Sequence, residues 1–223
     1  MGAKPVVDLR IYTIRRRSMP EFLRISETLA MPVQLRHIGP PLAYYVTDIG
    51  PQNQVIHLWP YESVADMEAK RAARNQDPEW QAYLAASDGI ILEQETRVVR
   101  RVAFAGLTEL SESVARKPLV DFRVYTIRRR SMPEFLRISE ALAMPVQLRH
   151  IGPPLAYYVT EIGPQNQVIH LWGYDSLADM EARRAARNRD PEWETYLKAS
   201  EGLILEQETR AVRRVPFSTL EAY

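Results

Sequence analysis

LAMPVQLRHIGPPLAYYVT, Leu29 to Thr47, returns letter for letter as Leu142 to Thr160. Within it, Pro32 removes a backbone donor from an apolar helical pattern, so a kink or break of the helix is expected there. A second helical stretch reaches His37, Gly39 suits the residue after its end, and Pro40-Pro41 prevents a restart. LAYYVTDI, Leu42 to Ile49, then reads as a strand.

The copying extends well beyond this stretch. Val7 to Phe104 aligns without gaps onto Val120 to Phe217, with roughly 82 identities in about 98 positions. Two copies are too few for a solenoid, and a unit of about 100 residues is a domain in itself. The expected organisation is a domain over 1–105, a polar linker over 106–118 and a second domain over 119–223.

Each unit reads as β-α-β-β-α-β. Val6 to Ile14 alternates and is rich in β-branched residues, as a strand should be. Ser18-Met19-Pro20-Glu21 reads as a helix start with serine as N-cap. Gly50-Pro51 joins two strands into a hairpin. Ser63 with Asp66, and Asp77-Pro78-Glu79, open two more helices, and Ile90 to Val102 is the last strand. This order is the ferredoxin-like split βαβ arrangement, an α+β fold.

Composition narrows the function classes. Lysine and arginine number 29 against 28 acids, a net charge of +1, which gives no basic face for nucleic acid. The absence of cysteine excludes thiolate zinc sites, disulfides and a cysteine nucleophile. No stretch approaches the apolar length of a membrane span or signal peptide, so a soluble cytoplasmic protein is expected. No Gly-rich phosphate loop or serine-nucleophile motif appears, and a lone histidine without nearby carboxylates indicates no metal; no cofactor is expected.

Four motifs occur in the same order in both halves: DLRIYTI, RHIG (Arg36 to Gly39), GPQNQVIHLW (Gly50 to Trp59) and DPEW (Asp77 to Trp80). Together they resemble the NIPSNAP family. The resemblance implies the dimeric α/β-barrel superfamily, in which two ferredoxin-like units join sheet to sheet. A fused pair would encode both partners of one such barrel and raise their effective concentration; further homo-oligomers remain compatible with it. Relatives in that superfamily include cofactor-independent oxygenases, isomerases and haem-handling proteins, and some eukaryotic NIPSNAP members are described as mitochondrial interaction proteins.

Strand parity supplies the site. Leu9, Ile11, Ile56 and Leu58 share the apolar parity and are assigned to the helix side. Asp8, Arg10, Tyr12, His57 and Trp59 take the other parity, assigned to the barrel interior, with Asp121, Arg123, Tyr125, His170 and Trp172 in the second copy. An apolar wall with a few convergent polar groups describes a small-molecule pocket. His57 and His170 are the acid/base candidates, because imidazole titrates near neutrality. The alternative for each is a structural histidine satisfied by a neighbour such as Tyr12. Arg10 and Arg123 are candidates to hold a ligand carboxylate, since a guanidinium facing an interior must find an acid and a ligand would do as well as Asp8. Arg36, His37, Arg149 and His150 are either pocket-rim residues or cations interacting with a helix C-terminus. Two functional readings follow. The chain binds, and as an enzyme would transform, a small organic molecule in the barrel; or it is a scaffold or interaction module whose barrel is purely structural.

Overall fold

The computed structural model describes residues 4–104 and 116–217. Most of the expected linker therefore lies outside the described residues. The first repeat comprises β1 (Val6–Ile14), α1 (Met19–Ile25), a π-helical turn (Ser26–Ala30) and α2 (Met31–His37). It continues through β2 (Ala43–Ile49), β3 (Gln54–Tyr61), α3 (Val64–Asn75), α4 (Pro78–Ala86) and β4 (Ile91–Arg101). The second comprises β5 (Leu119–Ile127), α5 (Met132–Ile138), a π turn (Ser139–Ala143) and α6 (Met144–His150). β6 (Ala156–Ile162), β7 (Gln167–Tyr174), α7 (Leu177–Asn188), α8 (Pro191–Ala199) and β8 (Ile204–Arg214) complete it.

In each repeat the first strand is central. β1 pairs antiparallel with β3 and with β4, and β3 pairs with β2, giving the ferredoxin-like order β4-β1-β3-β2. β5, β7, β8 and β6 repeat that pattern. The fold is α+β, with the element order read from the sequence. Asn53 and Asn166 take left-handed conformations, φ 59° and 60°, at the foot of each hairpin. Asparagine tolerates that region better than most side chains, which explains its place there.

The chain divides into two compact units whose ends differ from the simple halves. Residues 1–100 group with 214–223, and residues 101–213 form the other unit. Within the first unit, the Val215 amide donates to the Tyr44 carbonyl at 2.9 Å and Phe217 packs on the Tyr44 ring at 4.8 Å. Within the second, Val102 donates to the Tyr157 carbonyl at 2.9 Å and Phe104 packs on the Tyr157 ring at 4.7 Å.

Pro32 does not end its helix. The chain stays helical to His37, and the irregularity lies one turn earlier, where the Met31 amide bonds the Ser26 carbonyl five residues back. A widened π turn loosens the ladder where proline cannot donate to it. Pro145 is accommodated identically. Gly39 then closes the helix at φ 97°, with Ile38 and Gly39 both donating to the Gln34 carbonyl. The Ser18 reading also changes. Its hydroxyl accepts from Arg15 Nε at 3.1 Å and caps no helix amide.

Ser63 does act as an N-cap, accepting from the Asp66 amide at 3.0 Å, while Asp66 accepts from the Glu62 amide at 3.1 Å. Ser63→Ala should lower stability by about 1 kcal/mol, and Ser176→Ala by a similar amount. Urea unfolding checks both, and the two losses should add because the sites are independent.

The helices cover one face of each sheet. Tyr12, Val55 and Trp59 share a buried cluster with Phe22, Met31 and Trp80 from the helix layer. The faces are therefore opposite to the sequence-based assignment. The polar and aromatic parity of Arg10, Tyr12, His57 and Trp59 faces the helices, and Leu9, Ile11, Ile56 and Leu58 take the other face. Alternation separates two faces without labelling them. Here both are buried, Leu9 at 0% and Tyr12 at 6% exposure, so hydrophobicity alone could not choose. Among the described residues no helix is long and apolar enough to cross a membrane.

Candidate functional site

The polar face is built from three strand positions. Asp121, Arg123 and Tyr125 alternate along β5, so their side chains share one face. Arg123 lies directly opposite His170 on β7, and Asp121 opposite Trp172. Arg123 Nε donates to Asp121 Oδ2 at 2.9 Å, and its Nη1 donates to the Tyr125 hydroxyl at 2.8 Å. In the first repeat Arg10 makes the same two bonds, to Asp8 at 2.9 Å and Tyr12 at 2.7 Å. Burial opposes the charge of Arg123, but Tyr125 and Asp121 outweigh it and hold the guanidinium above its ordinary pKa.

The histidines have an unusual set of neighbours. Trp172 Nε1 donates to His170 Nδ1 at 2.6 Å, and Trp59 to His57 Nδ1 at 2.5 Å. Indole can only donate, so Nδ1 is the acceptor and the proton of the neutral ring sits on Nε2. Tyr157 stacks on His170 with centroids 5.1 Å apart, and Tyr125 meets it edge-on at 4.7 Å. His170 is 3% exposed, and its Nε2 has no hydrogen-bond partner. His57 Nε2 is in the same state. Burial first, then the positive charges of Arg123 and Arg187, push the His170 pKa well below its ordinary value. Arg10 and Arg74 do the same beside His57.

This changes the chemistry expected of the histidines. A ring held neutral, with its Nδ1 lone pair already engaged, is poorly placed to cycle a proton near pH 7. What it offers is a fixed N–H donor. The neighbour that satisfies Nδ1 is tryptophan, while Tyr12 supplies an edge-on ring contact at 4.7 Å instead.

Above this face in the second repeat lies a cavity of about 460 Å³. Arg123, Tyr125 and His170 line it from the sheet. Arg184 and Arg187 line it from α7, Trp193 and Tyr196 from α8, and Met144 and Gln147 from α6. The cavity therefore lies between the sheet and its own helices, rather than in a barrel interior. Trp172 is fully buried beside it and acts through the histidine it holds.

Arg36 and His37 belong elsewhere. Arg36 donates to Asp77 at 2.8 Å and Glu79 at 2.7 Å, and His37 Nε2 shares the same Asp77 oxygen at 2.8 Å. Arg149 and His150 bind Asp190 and Glu192 alike. These contacts tie the end of α2 to the start of α4, where Asp77 also accepts from the Glu79 amide at 3.0 Å. The RHIG and DPEW motifs are thus one structural clasp. The hydrogen bond from His37, with those from the Glu79 amide and Arg36, lowers the Asp77 pKa despite some desolvation. A depressed carboxylate pKa stabilises the native state above the unfolded pKa and loses that contribution as pH falls through the folded one. Below about pH 4, Asp77→Asn with Asp190→Asn should therefore weaken the acid limb of the stability curve, read by thermal melts against pH.

Sequence reading missed Arg71, Arg74 and their copies Arg184 and Arg187. Their signal was positional. Met67, Arg71 and Arg74 are spaced i, i+4, i+7, so the two arginines share the inward face of a helix that otherwise looks solvated. Arg187 lies over the Trp193 ring at 4.2 Å, and Arg74 over Trp80 at 4.2 Å. Trp80 and Tyr83 pack in the buried cluster of the first repeat, and their copies Trp193 and Tyr196 also line the cavity. Among the described residues no group of three or more His, Cys, Asp or Glu side chains is placed to hold a metal ion.

The likeness to known proteins extends over both repeats. The chain is 26% identical over 202 residues to the Protein NipSnap homolog of Dictyostelium discoideum, covering 89% of this chain and 82% of that protein. It is 24% identical over 221 residues to the human Protein NipSnap homolog 3A, covering 96% and 85%. Among solved structures, a putative monooxygenase from Lactobacillus acidophilus NCFM matches 95% of this chain and 94% of its own, with a TM-score of 0.63 at 10% identity. That likeness is one of fold. The NIPSNAP family model matches residues 7–106 and again 120–219, and the chain belongs to the NIPSNAP family.

Proposed function

We propose that the protein binds a small organic molecule in the cavity between the sheet and the helices of a repeat. The observation that carries this is the buried His170 Nε2, a donor without a partner in the wall of a cavity of about 460 Å³. Buried polar groups are normally paired, and a ligand acceptor would complete this one. The cavity volume lies within the range of small-molecule sites, and its wall combines aromatic faces with a few polar groups. Arg10, Tyr12 and His57 in the first repeat, with Arg123, Tyr125 and His170 in the second, are the proposed ligand-contacting residues. Trp59 and Trp172 fix the tautomer of the histidines. The role is one of binding, because the histidines are tuned as donors. As part of this reading the two repeats pair within one chain, which the whole-length likeness in fold supports.

A thermal-shift screen of the full chain with neutral, cationic and anionic small molecules tests the reading. A ligand at a hundredfold excess over its Kd adds about 2.7 kcal/mol of stability. His57→Asn with His170→Asn keeps an acceptor for the indoles and removes both Nε2 donors. Hits should weaken about tenfold in that variant, the scale of one lost hydrogen bond to a charged group. Hits that bind the variant equally well place the ligand elsewhere. A screen without hits supports the interaction-module reading.

A further inference from the structure

The charges around the cavity do not balance. Three guanidiniums line it, those of Arg123, Arg184 and Arg187, and no carboxylate appears among the described lining residues. Asp121 stands just below the wall. It takes Arg123 Nε at 2.9 Å and lies 3.9 Å from Arg184. Arg187 is 6% exposed, and its hydrogen bonds go to neutral acceptors, Asn188 Oδ1 at 2.9 Å and Gln147 Oε1 at 3.4 Å. One carboxylate faces three guanidiniums: Asp121 serves Arg123 and lies near Arg184, whose side chain is 31% exposed, so the buried charge left without a carboxylate is that of Arg187. Burying such a charge is costly unless something pairs it.

Two further groups of the wall are donors. The Tyr125 hydroxyl accepts from Arg123, so its proton is free to be donated onward. His170 Nε2 is a donor. With the three guanidiniums they make the wall rich in donors, and its side-chain acceptors are neutral. Its flat surfaces are the Trp193 ring, with Arg187 stacked on it, and the Tyr196 ring 4.7 Å from Trp193. The first repeat carries the same side chains: Asp8 holds Arg10 at 2.9 Å and lies 3.9 Å from Arg71, and Arg74 stacks over Trp80.

We propose that the ligand is a small, flat organic dianion, its acceptor oxygens taken by the Arg184 and Arg187 guanidiniums and the donors of Tyr125 and His170. Dicarboxylates and phosphate monoesters share that chemistry. The proposal rests on the cavity being the binding site, and it adds the ligand's charge. The electrostatics of Arg187 follow from the same geometry. Burial, then the neighbouring charges of Arg123 and Arg184, pull its pKa down to about 10, as expected of a cation still short of a counter-charge.

The test uses one ring at three charges. Isophthalate, benzoate and dimethyl isophthalate are titrated into the full chain by calorimetry at matched ionic strength, with inorganic phosphate as a fourth arm. Isophthalate should bind about tenfold tighter than benzoate, the loss expected for one charge-assisted contact, with the diester weakest. Tighter binding of phosphate than of isophthalate would assign the phosphate monoester class. Arg74→Gln with Arg187→Gln should erase the preference for the dianion. Because those residues also pack against tryptophan, the more exposed pair, Arg71→Gln with Arg184→Gln, is measured alongside and should weaken isophthalate more than benzoate. Binding of the diester as tight as that of isophthalate overturns the charge inference while leaving the cavity reading intact. So does isophthalate binding unchanged in both variant pairs. Absence of binding by all four probes, while neutral library hits still respond to the histidine variant, also overturns the charge inference alone. Absence of any hit overturns both.

Discussion

Asp121→Ala should destabilise the protein by about 3–5 kcal/mol, among the largest losses expected of any single substitution in the chain. Asp121 is 1% exposed and holds Arg123 at 2.9 Å. Removing the carboxylate leaves a buried guanidinium whose remaining partner is a neutral tyrosine hydroxyl, in a layer that already holds Arg184 and Arg187. The loss is a desolvation penalty rather than the net worth of the ion pair, and a second variant separates the two. Asp121→Leu with Arg123→Met replaces both charges by apolar groups and should recover most of the stability, because a well-packed substitute for a buried pair is often neutral. Chemical denaturation measures each. Equal losses in the single and double variants would show that shape, not charge, governs this part of the core.

The second large effect is on pH. His57 and His170 have folded-state pKa values well below the ordinary 6.5, through burial and the arginines beside them. In the unfolded chain each titrates near 6.5. Below that pH the unfolded state takes up protons that the native state refuses, so stability falls as pH falls. The slope is about 1.4 kcal/mol per pH unit for each histidine, and about twice that for the pair. It should be visible between about pH 6.5 and 5, above the range where most carboxylates titrate. Above pH 6.5 both states are neutral and the dependence vanishes. His57→Asn with His170→Asn should flatten the curve in that window. A curve already flat in the unsubstituted protein would mean that the histidines protonate as easily folded as unfolded, and the tautomer assignment would fall with it.

Much of the fold was legible because its signals are local. Val6 to Ile14 alternates over enough residues to declare a strand, and Ser63 with Asp66 marks a helix start by side-chain chemistry alone. Gly39 was recognisable because its left-handed backbone position favours glycine. What failed needed information from another element. Pro32 was read as a kink or break, and the irregularity takes the form of a π turn just before it, with the chain still helical to His37. The two sheet faces were separated correctly and assigned the wrong way round, since Leu9 and Tyr12 are both buried and only the packing of Phe22 and Trp80 tells which face lies under the helices.

The site divides along the same line. Arg10, Tyr12 and His57 stood out as polar residues of one parity on two strands that pair directly. Arg36 and His37 could not be placed, because their partners Asp77 and Glu79 lie about 40 residues away in sequence and meet them only once α2 and α4 are packed. Arg74 and Arg187 escaped notice because arginine on a helix rich in charge normally faces water. Their stacking on Trp80 and Trp193 turns them inward, and this contact joins two helices that no local pattern relates.

A crystal structure of the full chain with the tightest small-molecule hit tests most directly whether a ligand occupies the space between sheet and helices. Ligand density beside His170 Nε2, bounded by Arg187 on Trp193 and by Tyr125, is the predicted result. Density for the ligand away from both histidines, with both Nε2 atoms still unpartnered, would contradict it.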